Sequence, residues 1–142
     1  MSRSPGDPLR RSAKDLVAEA DAKVRALTPS EVADLLEDSA YLVVDIRDPR
    51  EMEKLGTLPG AFRAPRGMLE FWIDPESPYA KPVFQQRKKF IFHCAGGWRS
   101  ALAAKTAQDM GLSPVAHLGG GFTAWREAGE AVERVEPRLR KS

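Results

Sequence analysis

The chain has 142 residues, with 22 Lys and Arg interspersed among 20 Asp and Glu, so it has the length of one ordinary domain and its charge gives no ground for a nucleic-acid partner. One cysteine and two histidines exclude an intrachain disulfide and an internal resolving thiol, leave no close metal-ligand spacing, and imply neither a metal nor a cofactor. No run is apolar enough to span a bilayer and residues 1–8 lack the apolar core of a signal peptide, so a cytoplasmic protein with no membrane partner is expected.

Residues before Leu9 are rich in Ser, Pro and Gly and read as a mobile leader. Leu9, Leu16, Val17, Ala20 and Val24 then recur at helical spacing between charged residues, which predicts an amphipathic helix reaching Ala26. Its apolar face can pack on the domain itself or form a homodimer contact with a second copy, and packing within the monomer is the simpler expectation. Thr28-Pro29-Ser30-Glu31 is a helix start, with Thr28 as N-cap, Pro29 at the first helical position and Glu31 completing a capping box. The helix runs on through Val32, Leu35 and Leu36. Tyr41 to Ile46 is a strand-length apolar run broken only by Asp45, as suits a parallel strand covered on both faces.

Asp45 and Arg47 fall at the end of that strand, where α/β proteins place their sites. The aspartate can cap the next segment, pair with Arg47, or meet substrate. Pro49 to Leu55 reads as a short helix, followed by a Gly-Pro turn and a brief strand near Phe62. No charge motif in this segment suggests chemistry on its own. Phe71 to Tyr79 mixes aromatics with prolines and reads as a long surface loop anchored by its rings, with a pocket wall as the alternative.

Phe90-Ile91-Phe92 is a short β-favouring run, and Ala101 to Met110 is helix-forming with Gly111 as its stop. Between them lies His93-Cys94-Ala95-Gly96-Gly97-Trp98-Arg99-Ser100. Amides at a helix N-terminus have no intrahelical partner, and two glycines let the loop curl so that Ala95, Gly96, Gly97, Trp98, Arg99 and Ser100 turn N–H groups toward one centre. Such a nest, with Arg99 nearby, favours a Cys94 thiolate over a buried inert thiol. Alternation along the strand sends His93 to the face opposite Cys94, so it is not assigned as a base. Val115 to Leu118 is a further strand, in which His117 is expected to carry a satisfied ring. Gly119-Gly120-Gly121 opens a last helix through Trp125 to Gly129; without a Walker lysine, close packing beside the Cys94 loop explains the three glycines better than phosphate binding. The tail with Arg138, Arg140 and Lys141 is expected to be solvated.

Four segments together resemble the rhodanese-like sulfurtransferase family in its single-domain form: Val43 to Pro49 with Glu51, Leu58-Pro59-Gly60-Ala61, the Cys94 loop through Ser100, and Leu118 to Trp125 with Ala128-Gly129. The resemblance implies an α/β, three-layer domain with a central parallel sheet of about five strands. On this reading residues 1–26 form a leader and N-terminal helical extension, 27–136 the domain and 137–142 a basic tail. Thr57 departs from the family, many members of which carry histidine there, and Trp98 is a bulky choice that shapes what approaches the loop. Related dual-specificity phosphatases place five residues between cysteine and arginine, whereas here only Ala95 to Trp98 intervene, similar to sulfurtransferases. The implied chemistry is transfer of sulfane sulfur from a small donor such as thiosulfate to a thiol or cyanide through a Cys94 persulfide, supported by Asp45 and Arg47. Arg99 is expected to add positive potential or to brace the loop through a carboxylate such as Asp45. A sulfur-carrying or partner-binding module and a phosphatase or arsenate reductase are the alternatives.

Overall fold

In the computed structural model, which describes residues 2–137, five strands form one wholly parallel sheet. The strands are β1 (Arg25–Leu27), β2 (Tyr41–Asp45), β3 (Phe62–Arg63), β4 (Lys89–His93) and β5 (Val115–Leu118), in spatial order β1-β5-β4-β2-β3. Six helices cover it: α1 (Ala13–Lys23), α2 (Pro29–Leu35), α3 (Pro49–Leu55), α4 (Leu69–Ile73), α5 (Trp98–Asp109) and α6 (Gly121–Glu127). The strand order reverses between β2 and β4, which is where an open parallel sheet leaves a crevice beyond its carboxyl edge. Asp45 pairs with His93 in register there, and Cys94 is the next residue.

Alternation along the strands builds two cores. Val44, Phe90, Phe92, Cys94 and Val115 face Leu69 and Ile73 of α4 and Ala103, Ala104 and Ala107 of α5. Val43, Ile91, Ala116 and Leu118 face Val32 of α2 and Phe122 and Trp125 of α6. The alanine run in α5 lets that helix lie close to the sheet, since small side chains shorten the approach of backbone to strand.

Three of the expected elements change. The first helix begins at Ala13 and not near Leu9, because Ser12 and Asp15 close a reciprocal capping box, Asp15 N donating to Ser12 Oγ at 3.0 Å and Ser12 N to Asp15 Oδ2 at 2.9 Å. It ends at Lys23, and the residues assigned to its last turn form β1, so a domain boundary after residue 26 would cut through a strand of the sheet. A three-residue edge strand carries too little periodicity to be read from sequence. The helix packs on α5 through Val17, Ala20 and Ala101, leaving Leu9 62% and Leu16 39% exposed.

The aromatic segment is also more ordered than a loop, because Phe71, Trp72 and Ile73 belong to α4. Ile73 is buried, Trp72 meets Phe62 edge to face at 6.2 Å, and Phe71 turns outward against Tyr79. Finally, α5 starts at Trp98, three residues before the helix-forming run, for a reason that lies in the Cys94 loop. Arg138, Arg140 and Lys141 lie outside the described residues.

Candidate active site

Cys94 leaves β4 and the chain turns through Gly97, whose φ of 102° places it in the left-handed region that glycine occupies without penalty. The sulfur then does what a side-chain oxygen does at an ordinary N-cap. Gly97 N donates to Cys94 Sγ at 3.1 Å and Ser100 N donates at 3.3 Å. These bonds draw Trp98, Arg99 and Ser100 into the first helical turn and aim its free amides at the sulfur. Of the six amides expected to turn toward this centre, those of Gly97 and Ser100 reach Sγ. Cys94 is 1% exposed at its floor, while Gly96 and Trp98 are exposed on its rim.

The three glycines support this loop from behind. Phe122 N donates to Cys94 O at 2.8 Å and Thr123 N donates to Ala95 O at 3.0 Å, so these first-turn amides of α6 are spent on loop carbonyls rather than on a phosphate. Gly121 has a φ of +62°, and a Cβ there would lie 2.5 Å from Ala95 O and 2.7 Å from Cys94 O. Gly121→Ala is therefore expected to destabilise the fold by about 1–3 kcal/mol and to displace the loop. Urea midpoints combined with the rate of Cys94 alkylation test this. Unchanged values for both would show that the packing is slack.

Arg99 is braced, but by a residue other than Asp45. Its Nη1 and Nη2 donate to Glu51 Oε1 and Oε2, each at 2.9 Å, joining α5 to α3. The bond from Arg99 and a weaker one from Asp48 N hold the Glu51 carboxyl below its usual value against partial burial, and Glu51 in turn raises Arg99. In the sequence Glu51 stands only within the segment that carries the family resemblance; in the structure it also closes a capping box with Asp48. Its second partner is 48 residues away.

Asp45 and Arg47 form a wholly buried pair beneath the loop. Arg47 Nε and Nη2 donate to the carboxylate at 3.0 Å and 2.8 Å, and Nη2 also donates to Gly56 O at 2.6 Å. Among the described residues Arg47 Nη1 has no hydrogen-bond partner, and the guanidinium lies over the Phe122 ring, 4.3 Å from its centroid. Thr57, the position that departs from the family pattern, donates its hydroxyl to Asp45 Oδ2 at 2.7 Å. Burial pushes the Asp45 carboxyl up, but the bonds from Arg47 and Thr57 and the neighbouring positive charge outweigh it and hold the group below 3.8. None of the hydrogen bonds of Asp45 or Arg47 reaches Cys94.

His93 stacks on Phe122 at 6.2 Å, on the face of the sheet away from the thiol, as alternation required. Its Nε2 is 3.4 Å from Asp45 Oδ2 without hydrogen-bond geometry, and burial pushes its pKa down to about 4 despite that carboxylate. The ring is thus neutral at pH 7. Unfolding lets it take up a proton below 6.5 while the folded state resists until about 4, so stability is expected to fall as pH drops through that window, by on the order of 3 kcal/mol. Urea midpoints across the window should show the slope, and His93→Phe should flatten it; an unchanged slope in that variant would assign the effect elsewhere.

His117 has a satisfied ring, as expected, and its partners come from α5 and α1. Nδ1 lies 3.1 Å from Ser100 Oγ, and Nε2 lies 3.2 Å from Asp21 Oδ1 on α1. Among the described residues there is no group of three His, Cys, Asp or Glu side chains that could hold a metal ion, and no helix is long and apolar enough to cross a membrane.

Comparison with known proteins places this site in context. The family model of the rhodanese-like domain matches residues 28–128. The thiosulfate sulfurtransferase GlpE of Pseudoalteromonas translucida is 29% identical over 106 residues, covering 74% of this chain and 92% of that protein. A single-domain sulfurtransferase of Saccharomyces cerevisiae superimposes with a TM-score of 0.60 at 26% identity, over 75% of this chain and 91% of that one. A protein of unknown function from Rhodopseudomonas palustris, described as a possible tyrosine phosphatase, is 56% identical with a TM-score of 0.87, over 92% of this chain and all of that one.

Proposed function

Starting from the fact that the chain belongs to the rhodanese-like family, we propose that it moves sulfane sulfur from thiosulfate to a thiol or cyanide by way of a persulfide on Cys94. The observation that carries this reading is the cradle around the sulfur: Gly97 N and Ser100 N both donate to Sγ in a loop with four residues between Cys94 and Arg99. Donors fixed in that arrangement stabilise negative charge on a sulfur without having to reorganise during reaction.

In the first half-reaction the Cys94 thiolate attacks the outer sulfur of thiosulfate. A new S–S bond forms, the S–S bond of the donor breaks, and sulfite leaves with the electron pair. The persulfide anion stays in reach of the amides. In the second, cyanide or a thiolate attacks the terminal sulfur, its bond to Cys94 breaks, and the Cys94 thiolate is regenerated. Two separated half-reactions give ping-pong kinetics. With a single cysteine in the chain, the sulfur must leave on another molecule.

Treatment with thiosulfate followed by mass spectrometry tests the reading directly. The peptide holding Cys94 should gain one sulfur, and cyanide should remove it as thiocyanate; no gain would refute the transfer. A phosphatase is the second reading, favoured by the description of the Rhodopseudomonas palustris protein. Its discriminating result would be hydrolysis of an aryl phosphate with no sulfur gain. The four-residue spacing supports sulfur transfer over that reading.

A further inference from the structure

The site contains a hydrogen-bonded chain that the sulfur-transfer steps do not use. Cys94 Sγ lies 3.5 Å from Ser100 Oγ, Ser100 Oγ lies 3.1 Å from His117 Nδ1, and His117 Nε2 lies 3.2 Å from Asp21 Oδ1. Ser100 is fully buried and His117 is 3% exposed, whereas the Asp21 side chain is half exposed. The groups come from four places in the sequence: the end of β4, the first turn of α5, β5 and α1. Asp21 lies outside residues 28–128, so the chain ends on a residue that α1 adds to the matched domain.

We infer that His117 is a positioning residue that takes up, through Ser100, the proton released when the Cys94 thiol ionises, with Asp21 orienting and stabilising the resulting imidazolium. The direction follows from the partners. Asp21 is an acceptor, so Nε2 carries the hydrogen and Nδ1 is left free to accept. The Ser100 hydroxyl donates to Nδ1, with Gly97 O at 3.3 Å as its other acceptor, and the Cys94 thiol donates to Ser100 Oγ. On ionisation the thiol proton passes to Ser100 Oγ as the hydroxyl proton of Ser100 passes to Nδ1. Ser100 is unchanged, Cys94 becomes a thiolate, His117 becomes an imidazolium, and no electrons are transferred. The hydrogen now on Ser100 Oγ came from the sulfur and donates to the thiolate, while Nδ1–H donates to Ser100 Oγ, and the same path reversed returns the proton when the regenerated thiolate is reprotonated.

The surroundings of His117 suit this task. Asp21 from α1 and Cys94 through Ser100 are the titratable groups that face it; β1 and β4 present Ala26 and Phe92 in register, and α5 presents Ser100. Burial pushes the imidazole below its usual 6.5 and Asp21 pulls the other way, which leaves a neutral ring with a carboxylate placed to support its charged form.

This inference deepens the sulfur-transfer reading, yet it is tested on the thiol itself. The rate of Cys94 alkylation by iodoacetamide, followed against pH in the full chain, reports the thiolate without any sulfur donor. His117→Asn is expected to move the profile to higher pH and to slow alkylation at neutral pH by about tenfold or more. Asp21→Asn should move it the same way by a smaller amount. A group that merely packs would leave the profile unchanged. Superimposable profiles for native chain and His117→Asn, both folded by circular dichroism, overturn the proposal. Should His117→Asn not fold, Asp21→Asn decides: a shifted profile supports the relay and a superimposable one overturns it. Failure of thiosulfate to load Cys94 would instead strike the transfer reading and leave this comparison valid.

Discussion

Cys94→Ser is expected to lower thiocyanate formation from thiosulfate and cyanide by about three orders of magnitude or more, to the background of the uncatalysed reaction. The reason is that a serine hydroxyl at this point is a poor nucleophile toward sulfur and cannot carry a persulfide. Its replacement of the sulfur leaves the rest of the site in place. The hydroxyl oxygen can still accept from Gly97 N and Ser100 N, the two bonds that define the start of α5. The variant should therefore melt close to the native chain, and it should gain no sulfur when treated with thiosulfate. A folded variant that still formed thiocyanate at the native rate would exclude the covalent route.

The largest effect on stability is expected at Asp45. Asp45→Ala leaves the Arg47 guanidinium fully buried without its carboxylate and removes the acceptor of the Thr57 hydroxyl. Breaking a buried pair from one side costs about 3–5 kcal/mol, because one charge then stays desolvated and uncompensated. For a chain of this size that corresponds to a melting temperature lower by roughly 10–17 °C. Arg47→Met should be comparably harmful, since it strands Asp45. The double variant Asp45→Ala/Arg47→Met should lose less than the sum of the two single losses, because it leaves neither charge behind. Simple additivity with small single effects would show that the pair is solvated in solution. The consequence falls on stability and not on chemistry because the hydrogen bonds of these side chains stop short of the sulfur.

The same pair shows where sequence reading stops. Asp45 and Arg47 were legible as a charged pair at the end of a buried strand, and pairing was among the readings open to them. That Thr57 completes the set, and that Arg99 turns to Glu51 instead of to Asp45, depends on where the packed fold sets α3 and the turn after it against β2 and α5. Glu51 entered only through the family resemblance, and nothing near it in the chain points to Arg99. His117 announced only an isolated polar residue in an apolar strand. Its link to Cys94 needs β5 to lie beside β4, α5 to lie across both, and α1 to bring Asp21 over the outer edge.

The features legible along the chain are local or periodic. The cap at Thr28, the apolar runs of β2, β4 and β5, the glycine turn after Cys94 and the four-residue interval to Arg99 follow from interactions spanning a few residues, and alternation alone placed His93 away from the thiol. The packed sheet decided the rest: the recruitment of Arg25–Leu27 as an edge strand and the partners of Arg99, Thr57 and His117. Those outcomes rest on hydrogen bonds and charge pairs between segments up to 96 residues apart. Their energies depend on which surfaces the packed sheet brings together, and no local pattern records that.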